Sequence, residues 1–430
     1  MAIAGLSRAE FEAALKENLS PTTPIRSPEH LHGRAKKLED IRRALVQPGR
    51  HVFIYGDRGV GKTSLAQTAA FEHQSSSQSP ILLGCDPSST FYQVAEDLAS
   101  RLLKQDPTLT KQTKQKKAGG GWAPFLSAEA QEAIETGRIP KLKSMNEVVG
   151  IIDHVSQIHS ESPVVVIDEF ERIQDQNERA LFADLIKQLG DQSIPIKLIF
   201  CGVGSSLSEL LDTHHSCYRY LSAIELERLP IGPRLEIISG ASRAVSLQVE
   251  DTTRYRIALI SDGFPHYIHL ITEKLLWEVF GDPEPIATTQ PRHYLGAVKA
   301  AVLDIEPRLR SIYERSVLKY GDDYEPVLWA VADHHELKRR STDIYDSYRR
   351  IMLSRIGEPL PREKFNTRMN LLKRPTHGSI LKATRQGWYE FTEAVVRGYV
   401  RLRAEDRGVQ LGIEHPLEGR RLTRPLLEPY

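Results

Sequence analysis

His51-Val52-Phe53-Ile54-Tyr55-Gly56-Asp57-Arg58-Gly59-Val60-Gly61-Lys62-Thr63-Ser64 runs from a short apolar segment through a glycine-bearing loop into the start of a helix. Positions 56–63 fit G-x-x-x-x-G-K-[ST] at every defined place. Glycines in such a loop let backbone N–H groups turn inward around phosphate oxygens. The following helix, KTSLAQTAAFEH, aims its positive dipole end at the same anion. Residues Gly56, Asp57, Arg58, Gly59, Val60, Gly61, Lys62, Thr63 and Ser64 are therefore the expected phosphate cradle. Lys62 is expected to reach the β and γ phosphates, and the Thr63 hydroxyl to ligate Mg²⁺.

Further along, Val164-Val165-Val166-Ile167-Asp168-Glu169 ends a buried strand in two acids. Asp168 is the expected second Mg²⁺ ligand, and Glu169 the residue that orients and deprotonates an attacking water. A GTPase would carry a guanine-reading N/T-K-x-D after a strand, and none is present. Small-molecule kinases usually lack the second, water-activating acid. The pair thus points to ATP hydrolysis with ATP and Mg²⁺ as the bound species. No G-x-S-x-G elbow appears. The adjacent pairs His214-His215 and His334-His335 do not share a helix face, and no ligand spacing suggests zinc.

Composition sets the frame. The chain has 430 residues, with 57 Lys and Arg against 56 Asp and Glu, so it is neither a basic coat nor an acidic tail. No apolar run is long enough to span a bilayer, and the N-terminal residues lack an apolar leader core. Cys85, Cys201 and Cys217 cannot make a disulfide framework, which points to a reducing, cytoplasmic setting.

Apolar runs at 51–55, 81–85, 163–168, 196–202 and 223–229 alternate with helical periodicity at 35–46, 62–73, 91–103, 145–158 and 178–189. From 232 to about 355 the pattern is mainly helical. This alternation implies an α/β layer plus an α-rich appendage, and the family resemblance described next implies the fuller fold: α/β, a P-loop NTPase five-stranded parallel sheet flanked by helices, then a helical lid and a winged-helix-like domain. The expected division is 1–27, an N-terminal helix and linker; 28–230, the core, with a lysine-rich insertion at 104–145; 231–304, the lid; 305–408, the winged-helix-like domain; and 409–430, a tail.

The phosphate loop and the Asp-Glu strand resemble the AAA+/STAND class of P-loop ATPases, with replication-initiator-like AAA+ and archaeal-type ATPase families the most similar. Four softer features follow from that resemblance. Leu31-His32-Gly33-Arg34 is similar to a box that packs near adenine, which implies nucleotide contact by Gly33 and Arg34. Many members put Asn or Thr after the strand that ends here in Cys201-Gly202, and Ser205 is the substitute this chain offers. Arg219 stands where members often carry an arginine that reaches a γ-phosphate, in cis or in trans. Gly263-Phe264-Pro265 resembles a lid motif, which places Pro265 and His266 at the nucleotide, with His266 where many relatives have arginine.

In the C-terminal third, residues 331–430 hold 20 Lys and Arg against 13 Asp and Glu. Arg362, Lys364, Arg368, Lys373 and Arg374 cluster on one helical segment, which a winged helix would present to DNA phosphates. Tyr389, Phe391, Arg397 and Tyr399 follow in an order the family often uses to close such a domain. The leading expectation is an ATP-dependent switch that forms a homo-oligomer on ATP binding and engages DNA or a separate effector protein, without a membrane. Two alternatives stay open: a nucleotide-binding scaffold with negligible hydrolysis, and a winged-helix DNA-binding regulator.

Overall fold

The computed structural model describes residues 3, 6–74, 79–105, 139, 141–158, 162–213, 215–317, 323–354 and 357–411. Most of the insertion expected at 104–145 and the tail from 412 onward lie outside the described residues. The chain forms two compact units. One comprises Pro24–Gly56 and Gly61–Glu227; the other comprises Met1–Thr23, Asp57–Val60 and Arg228–Tyr430.

Helix α1 (Arg8–Asn18) opens the chain and belongs to the second unit; a Ser7–Glu10 capping box starts it. The first unit follows as α2 (Ala35–Val46), β1 (His51–Tyr55), α3 (Lys62–His73), β2 (Ile81–Gly84), α4 (Phe91–Gln105), α5 (Met145–Ile158), β3 (Val164–Asp168), α6 (Gln176–Asp191), β4 (Lys197–Gly202), α7 (Gly204–Thr213) and β5 (Leu221–Glu225). Its sheet is parallel throughout, in the order β2-β3-β4-β1-β5. Helices cover a parallel sheet on both faces, so its central strands must be apolar on both sides. This is why HVFIY, VVVID and KLIFCG read as unbroken apolar runs, and all three are buried almost end to end. Phe53, Phe170, Phe182 and Phe200 pack mostly edge-to-face behind the strand ends, with ring centroids 5.2–6.1 Å apart.

Two polar groups at the opposite end of the sheet are buried with partners. Lys197 donates to the Gln47 carbonyl at 2.5 Å, and burial pulls its pKa down to about 8. His51 Nδ1 accepts from the Leu198 amide, and burial with Lys197 nearby holds the ring neutral. The fifth strand differs from its sequence expectation of 223–229: it spans Leu221–Glu225. Its pairing with β1 ends at Tyr55–Glu225, and the Glu227 carbonyl turns instead to the Arg34 guanidinium.

The second unit continues as α8 (Ile231–Ala244), α9 (Asp251–Ile260), α10 (Pro265–Phe280), α11 (Pro291–Leu303), α12 (Pro307–Val317), α13 (Tyr324–Ala332), β6 (Arg339–Arg340), α14 (Ser341–Ser354), α15 (Arg362–Leu371), β7 (Leu381–Arg385), β8 (Trp388–Phe391) and α16 (Ala394–Asp406). β6, β8 and β7 form a small antiparallel sheet in that order. The Phe11 ring of α1 stacks on Phe280 at 4.3 Å and meets the Trp277 edge at 4.9 Å, which fastens the N-terminal helix to α10.

Helix α16 carries a polar stripe at i, i+4, i+8 that faces inward. Arg397, Arg401 and Glu405 are all buried. Glu405 accepts from Arg256 of α9 through both oxygens and from the Tyr294 hydroxyl of α11 at 2.7 Å. Arg397 and Arg401 meet Asp262, which precedes α10. The basic charge counted in the C-terminal third is therefore partly internal.

Gly263 has φ +79°, and a Cβ there would lie 2.7 Å from the Leu229 carbonyl oxygen and 3.0 Å from Arg228 Cβ. Gly263→Ala combines left-handed strain with a backbone clash, and about 2–3 kcal/mol of stability is expected to be lost. Denaturant unfolding monitored on the second unit checks this.

Candidate functional site

The site is assembled where β1 and β3 end. Gly56 follows β1, and α3 starts at Lys62. Gly59 and Gly61 sit at φ +84° and +97°, conformations that only glycine adopts without strain. Among the x positions, Val60 is buried and Asp57 and Arg58 are exposed. Lys62 Nζ donates to the Gly56 carbonyl at 3.0 Å, so the lysine folds back across its own loop.

The strand order places β4 between β1 and β3, and α3 spans the gap. Thr63 Oγ1 donates to Asp168 Oδ2 at 2.7 Å. The other Asp168 oxygen accepts from the Glu169 amide at 2.9 Å. A hydroxyl and a carboxylate converging in this way form a hard-oxygen pair of the kind that would suit Mg²⁺. Among the described residues no cluster of three or more His, Cys, Asp or Glu forms a metal cage, and this pair needs none.

Glu169 has φ 55° and ψ 37°, a left-handed conformation unusual for a side-chain-bearing residue. A 3-10 turn, Phe170–Arg172, follows at once. Phe170 anchors that turn in the aromatic cluster, while the Glu169 side chain remains 42% exposed and pairs with Arg172 at 2.7 Å. The Cys201 thiol lies under the loop helix, 3.8 Å from the Lys62 carbonyl, and burial raises its pKa well above the usual thiol range.

Residues 30–199 match the AAA ATPase domain family. That stretch of the chain is similar to an AAA ATPase domain. The fold is similar to that of a Walker-type ATPase of Pyrococcus abyssi, at 18% identity, TM-score 0.50, over 88% of this chain and 98% of that one. Cdc6p of Pyrobaculum aerophilum aligns at 13% identity and TM-score 0.45, over 93% and 99% of the two chains. Orc1 of Aeropyrum pernix, solved with DNA, aligns at 14% and 0.45, over 88% and 95%. No curated protein matches. Among the described residues no helix is long and apolar enough to cross a membrane.

The other expected site residues of the first unit have distinct placements. Gly33 has φ +70° and precedes Arg34, which is buried and donates to the Glu227 carbonyl at 2.6 Å. Burial lowers the Arg34 pKa to about 10, with Glu227 opposing the shift. Ser64 Oγ accepts from the Ile25 amide at 3.1 Å. Ser205 is exposed on the first turn of α7, whereas its neighbour Ser206 is buried. Arg219 is exposed, its guanidinium 5.8 Å from the Tyr220 ring centroid.

Within the second unit, Pro265 is the first residue of α10. His266 Nδ1 lies 2.7 Å from the Pro21 carbonyl, an acceptor only, so this nitrogen carries the proton. Of the basic cluster, Lys364 and Arg374 are exposed. Arg362 donates to Ser341 Oγ and lies over Tyr345, Arg368 pairs with Asp323 over Tyr324, and Lys373 sits over Tyr389.

Sequence reading missed Arg172 and the Ile25 contact. The first had a local signal, since residues three apart eclipse in a 3-10 turn. The second is a backbone contact from a distant segment and had none.

Proposed function

We propose that this protein is an ATP-hydrolysing switch whose nucleotide state controls its self-assembly and its engagement of DNA or a partner protein. The Thr63–Asp168 hydrogen bond carries the reading, because it joins the phosphate-loop helix to the acidic strand end with Glu169 next in the chain. Gly56–Thr63 holds the phosphates through backbone amides, and Lys62 leaves the Gly56 carbonyl to meet β and γ oxygens. Thr63 and Asp168 hold Mg²⁺, which supplies charge neutralisation at the phosphates when bound. Glu169 orients a water whose oxygen attacks the γ-phosphorus. The bond from that phosphorus to the bridging oxygen breaks, ADP leaves with the electron pair, and Glu169 takes the water's proton.

Arg34 and Ser64 enter this reading as supports, because their polar atoms are occupied within the domain. Ser205, Pro265 and His266 are kept as nucleotide-responsive positions. Arg219 is exposed and is offered to a γ-phosphate held by a neighbouring copy. DNA contact is assigned first to Lys364 and Arg374, whose charges face solvent; Arg362, Arg368 and Lys373 shape that surface through their aromatic contacts.

The test is particle size by light scattering on wild type and Glu169→Gln, with and without ATP and Mg²⁺, alongside phosphate release. Assembly that grows with ATP in the variant, with turnover only in wild type, supports the switch. A nucleotide-insensitive size without turnover overturns it and favours the scaffold.

A further inference from the structure

Of the four arginines gathered around Asp262, Arg397 alone carries buried donors with no hydrogen-bond partner among the described residues. We propose that the open edge of the Arg397 guanidinium is an internal binding site for one small monovalent anion of the halide class. This site lies within the second unit and is independent of the chemistry assigned to Glu169.

The other three guanidiniums direct their donors to fixed oxygens. Arg401 reaches the carbonyls of Ala332, Leu259 and His334, and Asp262 Oδ1. Arg234 reaches the carbonyls of Leu229 and Ala258. Arg228 reaches Asp262 and the His335 carbonyl. An arginine has five N–H donors, and among the described residues Arg397 makes one hydrogen bond with them, from Nη1 to the His335 carbonyl at 3.4 Å. Its Nε lies 3.4 Å from Asp262 Oδ2, an ion-pair contact outside hydrogen-bond geometry, and its Nη2 has no partner among the described residues. Nε–H and the nearer Nη2–H point the same way, so the open donors form one edge. Arg256 uses the same edge to grip both oxygens of Glu405. Buried donors left unmatched are costly, and this edge is shaped to hold an acceptor.

Charge decides between an anion and a water. Four guanidiniums face one carboxylate, so positive charge is in excess by four less one. The nearby acids are not spare: Asp333 pairs with Arg350, and Glu405 with Arg256. Burial, together with the guanidiniums of Arg401, Arg228 and Arg339, pushes the Arg397 pKa far down against the pull of Asp262. An arginine nevertheless keeps its proton in a protein, so the strain is relieved by counter-charge rather than by deprotonation. A water would match the donors and leave the excess charge buried; a single negative ion does both. Arg397, Arg401 and Asp262 are all buried, which favours a small ion. Asp262 touches the same edge and repels a phosphate dianion more strongly than a halide. Asp262 precedes α10 while Arg397 and Arg401 belong to α16, so the ion fastens these two parts of the second unit together.

The test uses the full chain in a Trp122→Phe background, so that Trp277, Trp329 and Trp388 report urea unfolding of the second unit. Wild type and Arg397→Met are compared in chloride, phosphate and gluconate at one ionic strength, which holds screening constant. The wild-type unfolding constant is expected to be about tenfold smaller in chloride than in gluconate, as for an anion present at about ten times its Kd. Arg397→Met, which lacks both the donors and the charge, should unfold alike in the two. Wild type that unfolds alike in chloride and gluconate, or an Arg397→Met that keeps the difference, overturns the site. Stabilisation by phosphate without stabilisation by chloride overturns the halide assignment. Crystals of wild type grown in bromide give a reading that needs no variant: an anomalous peak in contact with Arg397 Nη2 is expected, and no anomalous signal at that edge overturns the site.

Discussion

Glu169→Gln is expected to lower ATP turnover about a hundredfold or more while leaving ATP affinity within a factor of about two. The amide keeps the size and one acceptor oxygen of the carboxylate, so the left-handed turn and the buried Phe170 are undisturbed. It cannot take a proton from water, and general-base assistance of this kind is worth about 10²–10⁴ in rate. The groups proposed to bind phosphate are separate: the backbone from Gly56 to Gly61, Lys62, which donates to the Gly56 carbonyl, and Thr63, which donates to Asp168. Lys62→Ala should show the converse, with loss of ATP affinity before any effect on chemistry can be read. Equilibrium binding of a fluorescent ATP analogue and single-turnover phosphate release, run on both variants, separate the two. Equal turnover in wild type and Glu169→Gln would remove Glu169 from the chemistry and return the scaffold reading.

The parts of this site that could be read from the residues are those set by local chemistry. Gly59 and Gly61 are required by their positive φ, and Lys62-Thr63 by the helix start that follows. Val164–Asp168 could be read because a strand buried on both faces must be apolar until it reaches the site. What could not be read depends on partners distant in sequence. Arg34 is read as a nucleotide contact, and its bond to the Glu227 carbonyl, 193 residues away, leaves no mark in the sequence. Arg368 is read as a DNA-facing charge, and its contacts with Asp323 and Tyr324 could not be read from the sequence. The insertion lysines stay beyond this comparison, since most of that segment lies outside the described residues. The Glu169–Arg172 pair is an intermediate case: its spacing is visible, but only the left-handed Glu169 and the 3-10 turn make that spacing a contact.

Arg397 and Arg401 show the same limit at larger cost, and they lead to the second large effect. Asp262 is almost fully buried and is the shared counter-ion of Arg228 at 2.5 Å, Arg401 at 2.7 Å and Arg397 at 3.4 Å, with Arg234 close enough to add to the field. Burial alone would raise the Asp262 pKa, but the four guanidiniums outweigh it and hold the carboxyl below its usual range. Backbone carbonyls satisfy much of the remaining donor capacity: Arg401 also reaches Ala332 and Leu259, and Arg234 reaches Leu229 and Ala258. These carbonyls are dipoles, however, and the net charge of the cluster depends on Asp262. Asp262→Asn keeps the shape and the left-handed backbone, yet removes the one full negative charge these four arginines share. Breaking a buried pair in this way costs about 3–5 kcal/mol, because the cations stay buried. An exposed control such as Glu12→Gln, which loses only the Arg8 pair on α1, should change stability by about 0.5 kcal/mol or less. The pH dependence has a definite sign. The folded pKa lies below the unfolded value, so the Asp262 contribution is fully present above the unfolded carboxylate range near pH 3.9 and is lost as pH falls through the folded pKa. Wild type should therefore lose stability of the second unit on acidification below about pH 4, while Asp262→Asn, already lacking the charge, should show a shallower acid limb. Denaturant unfolding across that range, followed by tryptophan emission in a Trp122→Phe background that leaves Trp277, Trp329 and Trp388, all three in the second unit, reads both effects. Equal stability of wild type and Asp262→Asn at neutral pH would show that the backbone carbonyls alone hold the buried arginines.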